Sequence, residues 1–279
     1  MSGVKISAVI ITFNEEKNIA RCIESLLPVA DEIVVLDSFS TDGTKQICER
    51  YPVKFFSQDF AGYGQQKNDA LELASFDYVL SIDADEALSP DLASSIAHTK
   101  KNLDQDAFIV NRLTNFCGSW IRHCGWYPDK RIRLWNRRKG EWRMKSIHET
   151  VKMHEGVSVG QLQGDLLHYS FPSLTDYIGQ LNNFSSIAAE EAFKRGKKVY
   201  PIIHIVLYPF ATFFRMYFLR LGMLDGLAGF MVCVSASYYR FVKYSKLYYL
   251  KKQLVNDTDG DDQNPNSGTH AVVRDEVIP

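Results

Sequence analysis

Short apolar runs rich in β-branched residues alternate with segments of helical periodicity along the first hundred residues. Such runs occupy residues 5–12, 31–36, 53–56 and 79–82, and polar residues follow each of them. The segments between them place apolar residues three and four positions apart, as on one face of a helix. This alternation predicts an α/β fold with a parallel sheet, right-handed crossovers and a ligand crevice along the carboxyl ends of the strands.

Cap and breaker residues mark the ends of two predicted helices. Asn14 is the predicted N-cap of a helix that runs to about Leu27, and Pro28 closes it. A later helix begins with Ser89 as its cap and Pro90 at its first position.

Three carboxylates follow the fourth apolar run directly. Residues 78–87 read YVLSIDADEA, so Asp83, Asp85 and Glu86 lie where the predicted strand ends. Two aspartates separated by a small residue can present oxygens to a hard cation such as Mg²⁺ or Mn²⁺. An isolated motif this short is more often an acidic surface turn, so its meaning depends on the motifs that accompany it.

The composition is that of an ordinary globular protein, with 279 residues, 46% hydrophobic residues and a formal net charge of -1. The five cysteines have no CxxC spacing, and their odd number favours a reducing compartment over a disulfide framework. Residues 6–11 are too short for the apolar region of a signal peptide, and no cleavage pattern follows them. We therefore expect the N-terminal region to fold in the cytoplasm.

Four polar clusters stand at the predicted strand ends. They are TFNE at 12–15, DSFSTDGT at 37–44, QKN at 66–68 and DADE at 83–86. In this order they resemble the family 2 glycosyltransferases of the A-type fold, over roughly residues 4–170. A Rossmann dehydrogenase is the rival for such a sheet, but no GxGxxG follows the first strand. The resemblance implies a Rossmann-like, mostly parallel sheet and a metal-dependent enzyme that uses a nucleotide-sugar, with a UDP-sugar as the expected donor.

The resemblance also implies roles for individual residues on the donor side. It assigns nucleotide-sugar binding to Thr12, Asn14, Glu15, Asp37, Lys67, Asn68, Asp83 and Ala84. Thr12 and Glu15 would lie against the base and ribose, and Asp37 would accept a hydrogen bond from the base. Lys67 or Asn68 would close over the nucleotide.

A metal site is implied at the same edge of the sheet. Asp85 would ligate Mg²⁺ or Mn²⁺, and Asp83 would contact the ribose or a metal-bound water. His168, within the stretch GDLLHYS, would be a further ligand, because imidazole is compatible with these ions beside carboxylates. A buried, hydrogen-bonded histidine is an equally good interpretation of that residue.

Basic and aromatic residues mix between residues 112 and 145, where ten lysines and arginines accompany two acids. Aromatic faces stack on sugar rings and arginine forks bind phosphate, so this mixture favours an anionic glycan acceptor over nucleic acid. Residues 126–138, WYPDKRIRLWNRR, resemble the family segment that lines the acceptor side. The acceptor-binding residues implied are Trp126, Arg131, Arg133 and His148.

An inverting transfer needs a general base near the acceptor hydroxyl, and a carboxylate is the common solution. Glu149 is the candidate and Asp129 the runner-up. As an isolated pair, His148 and Glu149 would be polar residues at a strand end, whereas their position in the family favours catalysis.

Together with a basic, aromatic C-terminal arm, these motifs are similar to bacterial lipopolysaccharide core glycosyltransferases that add a β-linked glucose to an inner-core heptose. Transfer to a polyprenyl phosphate is the second enzyme hypothesis. A membrane-bound scaffold that keeps the sugar-nucleotide fold is the non-enzyme alternative.

The residue composition changes in the last third of the chain. We predict a catalytic domain over residues 1–172, a helical arm over 173–254 and a disordered tail over 255–279. The arm begins with an amphipathic helix over residues 174–194. Its predicted apolar side consists of Tyr177, Leu181, Phe184, Ile187 and Ala188.

An apolar segment then covers residues 199–239, but prolines and charged residues interrupt it. A bilayer crossing needs about 20 mostly apolar residues, which favours an interfacial hairpin here. Residues 194–252 hold eleven lysines and arginines and the single acid Asp225, a balance suited to anionic headgroups. We expect peripheral association with the inner membrane from the cytoplasmic side, and a helical oligomerisation arm is the competing interpretation.

Overall fold

The computed structural model describes residues 3–143 and 150–261, with side chains to residue 253. The chain divides into two compact units. The first combines the chain up to Tyr177 with Met216–Val232, and the second combines Ile178–Arg215 with the chain from Cys233 onward.

Eleven strands occur among the described residues of the first unit. They are β1 (Ile6–Thr12), β2 (Glu32–Asp37), β3 (Lys54–Ser57), β4 (Tyr78–Asp83), β5 (Glu86–Leu88), β6 (Ala107–Phe116), β7 (Ser119–Trp120), β8 (Asp129–Asn136), β9 (Gly140–Trp142), β10 (Val151–Met153) and β11 (Val159–Phe171). Nine of them form one sheet in the order β3-β2-β1-β4-β8-β6-β11-β5, with β7 on β6, while β9 and β10 pair separately.

The strands from β3 to β4 are all parallel, as predicted. Beyond β4 the sheet is mixed, because β8 runs antiparallel to both β4 and β6, and β5 runs antiparallel to β11. The α/β class with a Rossmann-like half is confirmed.

Seven α-helices accompany the strands in the described ranges. They are α1 (Ile19–Leu26), α2 (Thr44–Cys48), α3 (Tyr63–Glu72), α4 (Pro90–Thr99), α5 (Leu174–Lys194), α6 (Tyr208–Phe214) and α7 (Gly226–Asp261). Helix α4 begins as predicted, with the Leu92 N–H donating to Ser89 Oγ at 3.2 Å. Helix α7 extends into the segment whose composition predicts disorder.

The predicted N-cap of α1 was wrong. Asn18, and not Asn14, occupies the N-cap position. Asn14 has a φ of 54°, a left-handed conformation that asparagine tolerates, and its Oδ1 accepts a hydrogen bond from the Thr41 N–H at 2.8 Å. The residue therefore ties the loop after β1 to the loop after β2.

Apolar side chains pack on both faces of the sheet. On one face Ile19, Ile23 and Leu26 of α1 are fully buried with the strands, as the spacing in α1 predicts. On the other, Leu71 of α3 packs with Trp135. Full burial of side chains of this size stabilises the fold by roughly 1.5–3 kcal/mol each and fixes the strand edge that carries the polar clusters.

The predicted apolar face of α5 was partly wrong. Tyr177 and Leu181 are buried, but Phe184 and Ile187 are exposed, and Ala189 takes their place in the interior. In the second unit, small residues on α5 pack against large ones on α7. That cluster contains Ala189, Ala192, Tyr244 and Leu247. A small side chain lets two helices approach closely, so the interior follows packing and not the hydrophobicity of α5 alone.

Residues 202–219 are helical throughout, with a π-helical turn on each side of α6. This stretch is long and apolar enough to cross a membrane by length and composition, with a mean hydropathy of 1.5 and 11% of its residues buried. Pro209 and Arg215, which interrupt the apolar segment in the sequence, lie within this helical stretch and do not end it. Pro209 lies in the first turn of α6, where a proline is tolerated.

Candidate active site

The predicted donor residues lie at neighbouring strand ends. In the parallel registers, Thr12 of β1 is paired with Asp37 of β2, and Ile11 is paired with Asp83 of β4. Carboxyl ends of parallel strands meet at one edge of a sheet. The fold thus brings together clusters that are far apart in sequence.

Two cations hold the carboxylate of Asp83. Lys67 Nζ lies 2.8 Å from Oδ1, and Arg133 Nη2 lies 2.9 Å from Oδ2. Burial acts to raise the pKa of Asp83, but Lys67 and Arg133 outweigh it and hold the pKa well below its usual range. Asp83 is consequently ionised, and both of its oxygens have partners.

Glu86 binds both Arg133 and the backbone of Asp83, a role that the sequence did not reveal. Its side chain is fully buried, and Oε1 accepts a hydrogen bond from Arg133 Nη2 at 2.6 Å. Its Oε2 accepts from the Asp83 N–H at 3.0 Å. Arg112 Nη1 lies 3.6 Å from Oε1.

Arg133, which the resemblance assigned to acceptor binding, is almost fully buried. Its side chain is 4% exposed and lies between Asp83 and Glu86. Alternate residues of a strand point to the same face, so Arg133 shares a face of β8 with Trp135, which is buried. This alternation is the sequence signal that was missed. A cation on the buried face of a strand needs carboxylate partners, and the DADE turn supplies them.

The loop after β2 folds around Asp37. This carboxylate is 2% exposed and accepts hydrogen bonds from the N–H and Oγ of Ser40, at 2.8 and 2.5 Å. Nearby, Thr12 Oγ1 is buried and has no hydrogen-bond partner in the described part of the chain. An unpaired buried hydroxyl is costly and points to a partner that is not part of the chain.

Glu15 faces the acidic turn after β4. Its backbone N–H donates to Thr44 Oγ1 at 2.8 Å, and its carboxylate accepts from Asn18 Nδ2 at 2.8 Å. Burial raises the pKa of Glu15, the hydrogen bond from Asn18 opposes this rise, and the charge of Asp85 reinforces it. The negative charge collected here suits a site that receives a cation.

The structure separates Lys67 from Asn68, which the sequence left as alternatives. Asn68 donates from Nδ2 to the Trp142 C=O at 3.0 Å and accepts at Oδ1 from the Trp142 N–H at 2.9 Å. Its amide is thus used to hold β9, which argues against a contact with the nucleotide. Lys67 lies over the Trp142 ring and reaches Asp83.

Asp85 and His168 meet although they are 83 positions apart in the sequence. His168 is opposite Glu86 in the antiparallel pair of β5 and β11, and its Nε2 lies 3.2 Å from Asp85 Oδ2. Thr114 Oγ1 lies 3.4 Å from Nδ1 and contacts the other side of the ring. Ala84, between the two aspartates, is buried. In the described ranges no three histidine, cysteine or acidic side chains form a group that could hold a metal.

A cleft of about 360 Å³ opens beside His168. It is lined by Arg112, Thr114, Gly125, Trp126, Pro128, Asp129, Arg131, His168, Ser170 and Phe171. Trp126, Arg131 and Asp129 of the predicted acceptor side are therefore brought to the predicted metal pair. His148 and Glu149 lie outside the described residues.

Two arginines hold Asp129 in this cleft. Arg112 Nη2 lies 2.7 Å from Oδ2, and Arg131 Nε lies 2.9 Å from Oδ1. Burial acts to raise the pKa of Asp129, but Arg112 and Arg131 outweigh it and lower the pKa. A carboxylate with a lowered pKa is a weaker proton acceptor, which counts against Asp129 as the general base.

The family model described as glycosyl transferase family 2 matches residues 7–155. This chain belongs to that family. The match contains all four polar clusters and the carboxylate group around Asp83, so the resemblance seen in the sequence is confirmed.

Two relatives of this glycosyltransferase match over most of their length. An uncharacterized glycosyltransferase of Rickettsia bellii is 31% identical, over 98% of this chain and 95% of its own. The lipopolysaccharide core biosynthesis glycosyltransferase LpsC of Rhizobium meliloti is 31% identical, over 87% of this chain and 92% of its own.

Solved structures match less closely. TarS of S. aureus, residues 1–349, covers 87% of this chain and 91% of its own, with 18% identity and a TM-score of 0.45. Glucosyl-3-phosphoglycerate synthase from Mycobacterium tuberculosis, in complex with Mn²⁺, UDP and phosphoglyceric acid, covers 40% of this chain and 44% of its own. Its identity is 26% and its TM-score is 0.35.

Two residues of this glycosyltransferase site were missed in the sequence. Glu86 was seen only as part of the acidic motif, and Arg112 only as part of a basic region. Both are recognisable only in the folded sheet, where β6 lies between β8 and β11 and Arg112 contacts Glu86 and Asp129 together. Local pattern offers no signal for such a pairing.

Proposed function

We propose that this glycosyltransferase transfers a hexose, with glucose as the first candidate, from a UDP-sugar to an inner-core heptose of lipopolysaccharide, with inversion. The observation that carries the proposal is that the cleft with Trp126 and Arg131 opens beside the Asp85–His168 pair. An acceptor in the cleft would meet a donor held at the strand ends. The similarity to LpsC supports the class of acceptor.

The cleft suits a sugar that carries phosphate. Trp126 offers an aromatic face on which a sugar ring can stack. Arg131 uses Nε for Asp129 and its side chain is 35% exposed, so its terminal nitrogens can bind a phosphate in a forked geometry. Arg112 is also paired with Glu86, so Arg131 is the cation that the cleft offers to an anionic acceptor.

On the donor side, buried Thr12 Oγ1 would receive its missing hydrogen bond from the nucleotide base or ribose. Asp37, Asn14 and Glu15 would shape that pocket through the loops that they hold. Lys67 would bind the nucleotide while its pairing with Asp83 sets its position.

Asp85 and His168 would hold Mg²⁺ or Mn²⁺, because a carboxylate and an imidazole 3.2 Å apart are suitable donors for these ions. When bound, the ion would neutralise charge on the departing nucleoside diphosphate. Glu149 would take the proton from the acceptor hydroxyl as its oxygen bonds to the anomeric carbon and the bond to the diphosphate breaks. Asp129 would keep Arg112 and Arg131 in position.

Incubation with radiolabelled UDP-glucose and either heptose-terminated core lipid or polyprenyl phosphate tests the acceptor. We expect transfer to the core lipid alone. Transfer to polyprenyl phosphate alone would favour the second enzyme hypothesis, and turnover of neither, with UDP-glucose still bound, would contradict both.

Asp85→Asn is expected to remove the stabilisation that Mn²⁺ adds to the complex with UDP. Ligand at a hundred times its Kd stabilises a protein by about 2.7 kcal/mol, a gain that shows as a higher Tm. The amide keeps the size of the side chain and removes its charge. Thermal unfolding with UDP, with and without Mn²⁺, measures the difference, and Asp104→Asn on the surface is the matched control. An undiminished Mn²⁺ effect in the Asp85 variant would contradict the metal role.

The same proposal places the enzyme on the cytoplasmic face of the inner membrane. The helical stretch Ile202–Leu219 exposes large apolar side chains, with Ile202 72%, Phe210 73% and Leu219 70% exposed. Lysines and arginines flank this stretch at 194–198, and such a combination favours an anionic lipid surface. Association with a second copy of the chain is the alternative use of this surface.

Phe210→Ser is expected to weaken binding to vesicles of anionic lipid by roughly tenfold, since burial of one phenylalanine in lipid is worth about 1.5–3 kcal/mol. Vesicle sedimentation measures the partition coefficient. Phe60→Ser is the control, because Phe60 is 54% exposed and lies in the first unit near α3. Equal losses in the two variants would count against this surface, and a change of oligomeric state without loss of vesicle binding would favour the oligomer.

A further inference from the structure

The segment 216–232 folds with the catalytic unit although it follows the first part of the arm in sequence. It contacts the loop between β7 and β8. The Cys124 N–H donates to the Arg220 C=O at 3.0 Å, and Cys124 Sγ lies 3.7 Å from the Gly229 C=O. Cys124 is 1% exposed, so this contact is closed to solvent.

Asp225 provides the polar part of the contact. Its carboxylate accepts hydrogen bonds from the Arg122 N–H at 3.2 Å and the His123 N–H at 2.8 Å. His123 Nδ1 lies 2.8 Å from Oδ1. The Asp225 side chain is 6% exposed. One buried carboxylate thus has three nitrogen partners on two consecutive loop residues, an arrangement that fixes the local backbone.

The residues that follow these anchors form a wall of the proposed acceptor cleft. Gly125, Trp126 and Pro128 all line it. Gly125 has a φ of +80°, and a Cβ at this position would lie 2.0 Å from Arg220 Nη1. Gly125 of this wall therefore lies directly against the side chain of Arg220 in segment 216–232.

Segment 216–232 is itself tightly built. Leu221 has a φ of 54°, a left-handed conformation that is unfavourable for a residue with a side chain. A Cβ at Gly229 would lie 2.0 Å from the Gly222 carbonyl oxygen, so the first turn of α7 packs directly on the turn before it. Backbone strain of this kind persists where the surroundings determine the conformation, and Asp225 lies between these two positions.

We infer that Asp225 is a positioning residue that holds the acceptor wall of the cleft by anchoring Arg122 and His123. It acts through Trp126, which lies three residues after His123 and whose N–H donates to the His123 C=O at 3.0 Å. The inference rests on the proposed function in one respect, which is the assignment of this cleft to the acceptor. The anchoring itself does not depend on that assignment.

Hydrogen exchange tests the anchoring without any substrate. In Asp225→Asn the amide hydrogens of Arg122 and His123 are expected to exchange about tenfold faster, which corresponds to the loss of roughly one hydrogen bond. Amides of β1 should be unchanged, as should all of these amides in the surface control Asp104→Asn. Unchanged exchange at both loop amides would overturn the inference.

Kinetics test the consequence for the acceptor. With UDP-glucose and heptose-terminated core lipid, the KM for the lipid should rise about tenfold in Asp225→Asn while the KM for UDP-glucose stays the same. Equal changes in both constants would indicate a merely structural role and overturn the inference. His123→Ala removes one of the three partners, so a smaller shift in the same direction is expected, and it replaces Asp225→Asn if that variant does not fold. If the wild type transfers glucose to no acceptor, the proposed function fails and the exchange experiment still decides the anchoring.

Discussion

Replacement of Arg133 by methionine is expected to lower the free energy of unfolding by about 3–5 kcal/mol. The guanidinium is 4% exposed and lies against Asp83 and the fully buried Glu86. Methionine would fill much of the volume but leave Glu86 as a buried charge without this partner. Urea denaturation at pH 7 measures the loss.

Arg138→Met is the matched control for that experiment. Arg138 lies just after β8, five positions after Arg133, but it is 74% exposed. It pairs with Asp77 at the surface. Exposed pairs contribute about 0–1 kcal/mol, so this substitution should have a small effect. The double variant Arg133→Met with Glu86→Gln should regain part of the stability, because it removes the uncompensated charge. Equal losses for Arg133→Met and Arg138→Met would contradict the account of the buried cluster.

Glu149→Gln is expected to lower kcat by about 10²- to 10⁴-fold, the range that removal of a general base causes. The amide preserves shape and cannot accept the proton. Binding of UDP, measured by thermal shift, should be unchanged because the base acts on the acceptor. Turnover of UDP-glucose with heptose-terminated core lipid gives the rate.

Two variants decide whether this loss belongs to Glu149. Asp129→Asn should mainly raise the KM for the acceptor, because Asp129 is held by Arg112 and Arg131 and its pKa is lowered. Glu155→Gln, an exposed carboxylate nearby in sequence, should leave the rate unchanged. A larger fall in kcat for Asp129→Asn than for Glu149→Gln would transfer the role of base to Asp129.

The contact between Asp85 and His168 is a feature that the family resemblance could not establish without the structure. The family pattern proposed both residues for the metal but left His168 open to a purely structural interpretation. In the structure β5 lies beside β11, and this brings the ring nitrogen to 3.2 Å from the carboxylate. Proximity supports the proposed metal role, which remains to be tested by the Asp85 variant.

Arg133 and Asn68 show what sequence reasoning could not reveal. Both are polar residues in motifs with a family role, and both bind partners that are distant in sequence. Arg133 binds carboxylates about fifty positions earlier, and Asn68 binds the backbone of Trp142. Type and spacing of residues indicate that a polar group is available, but not whether another part of the chain has already used it.

The sequence by itself determined the α/β class, the order of the early strands and helices, and the polar clusters at the strand ends. These features depend on hydrophobic periodicity and on caps, which act between residues close in the chain. Only the tertiary structure decided that Arg133 is buried between Asp83 and Glu86, and that Phe184 and Ile187 are exposed. It also decided that Asp225 binds the loop between β7 and β8. Each of these outcomes depends on which distant element becomes a neighbour, because burial and the pairing of charges are set by packing and not by local order.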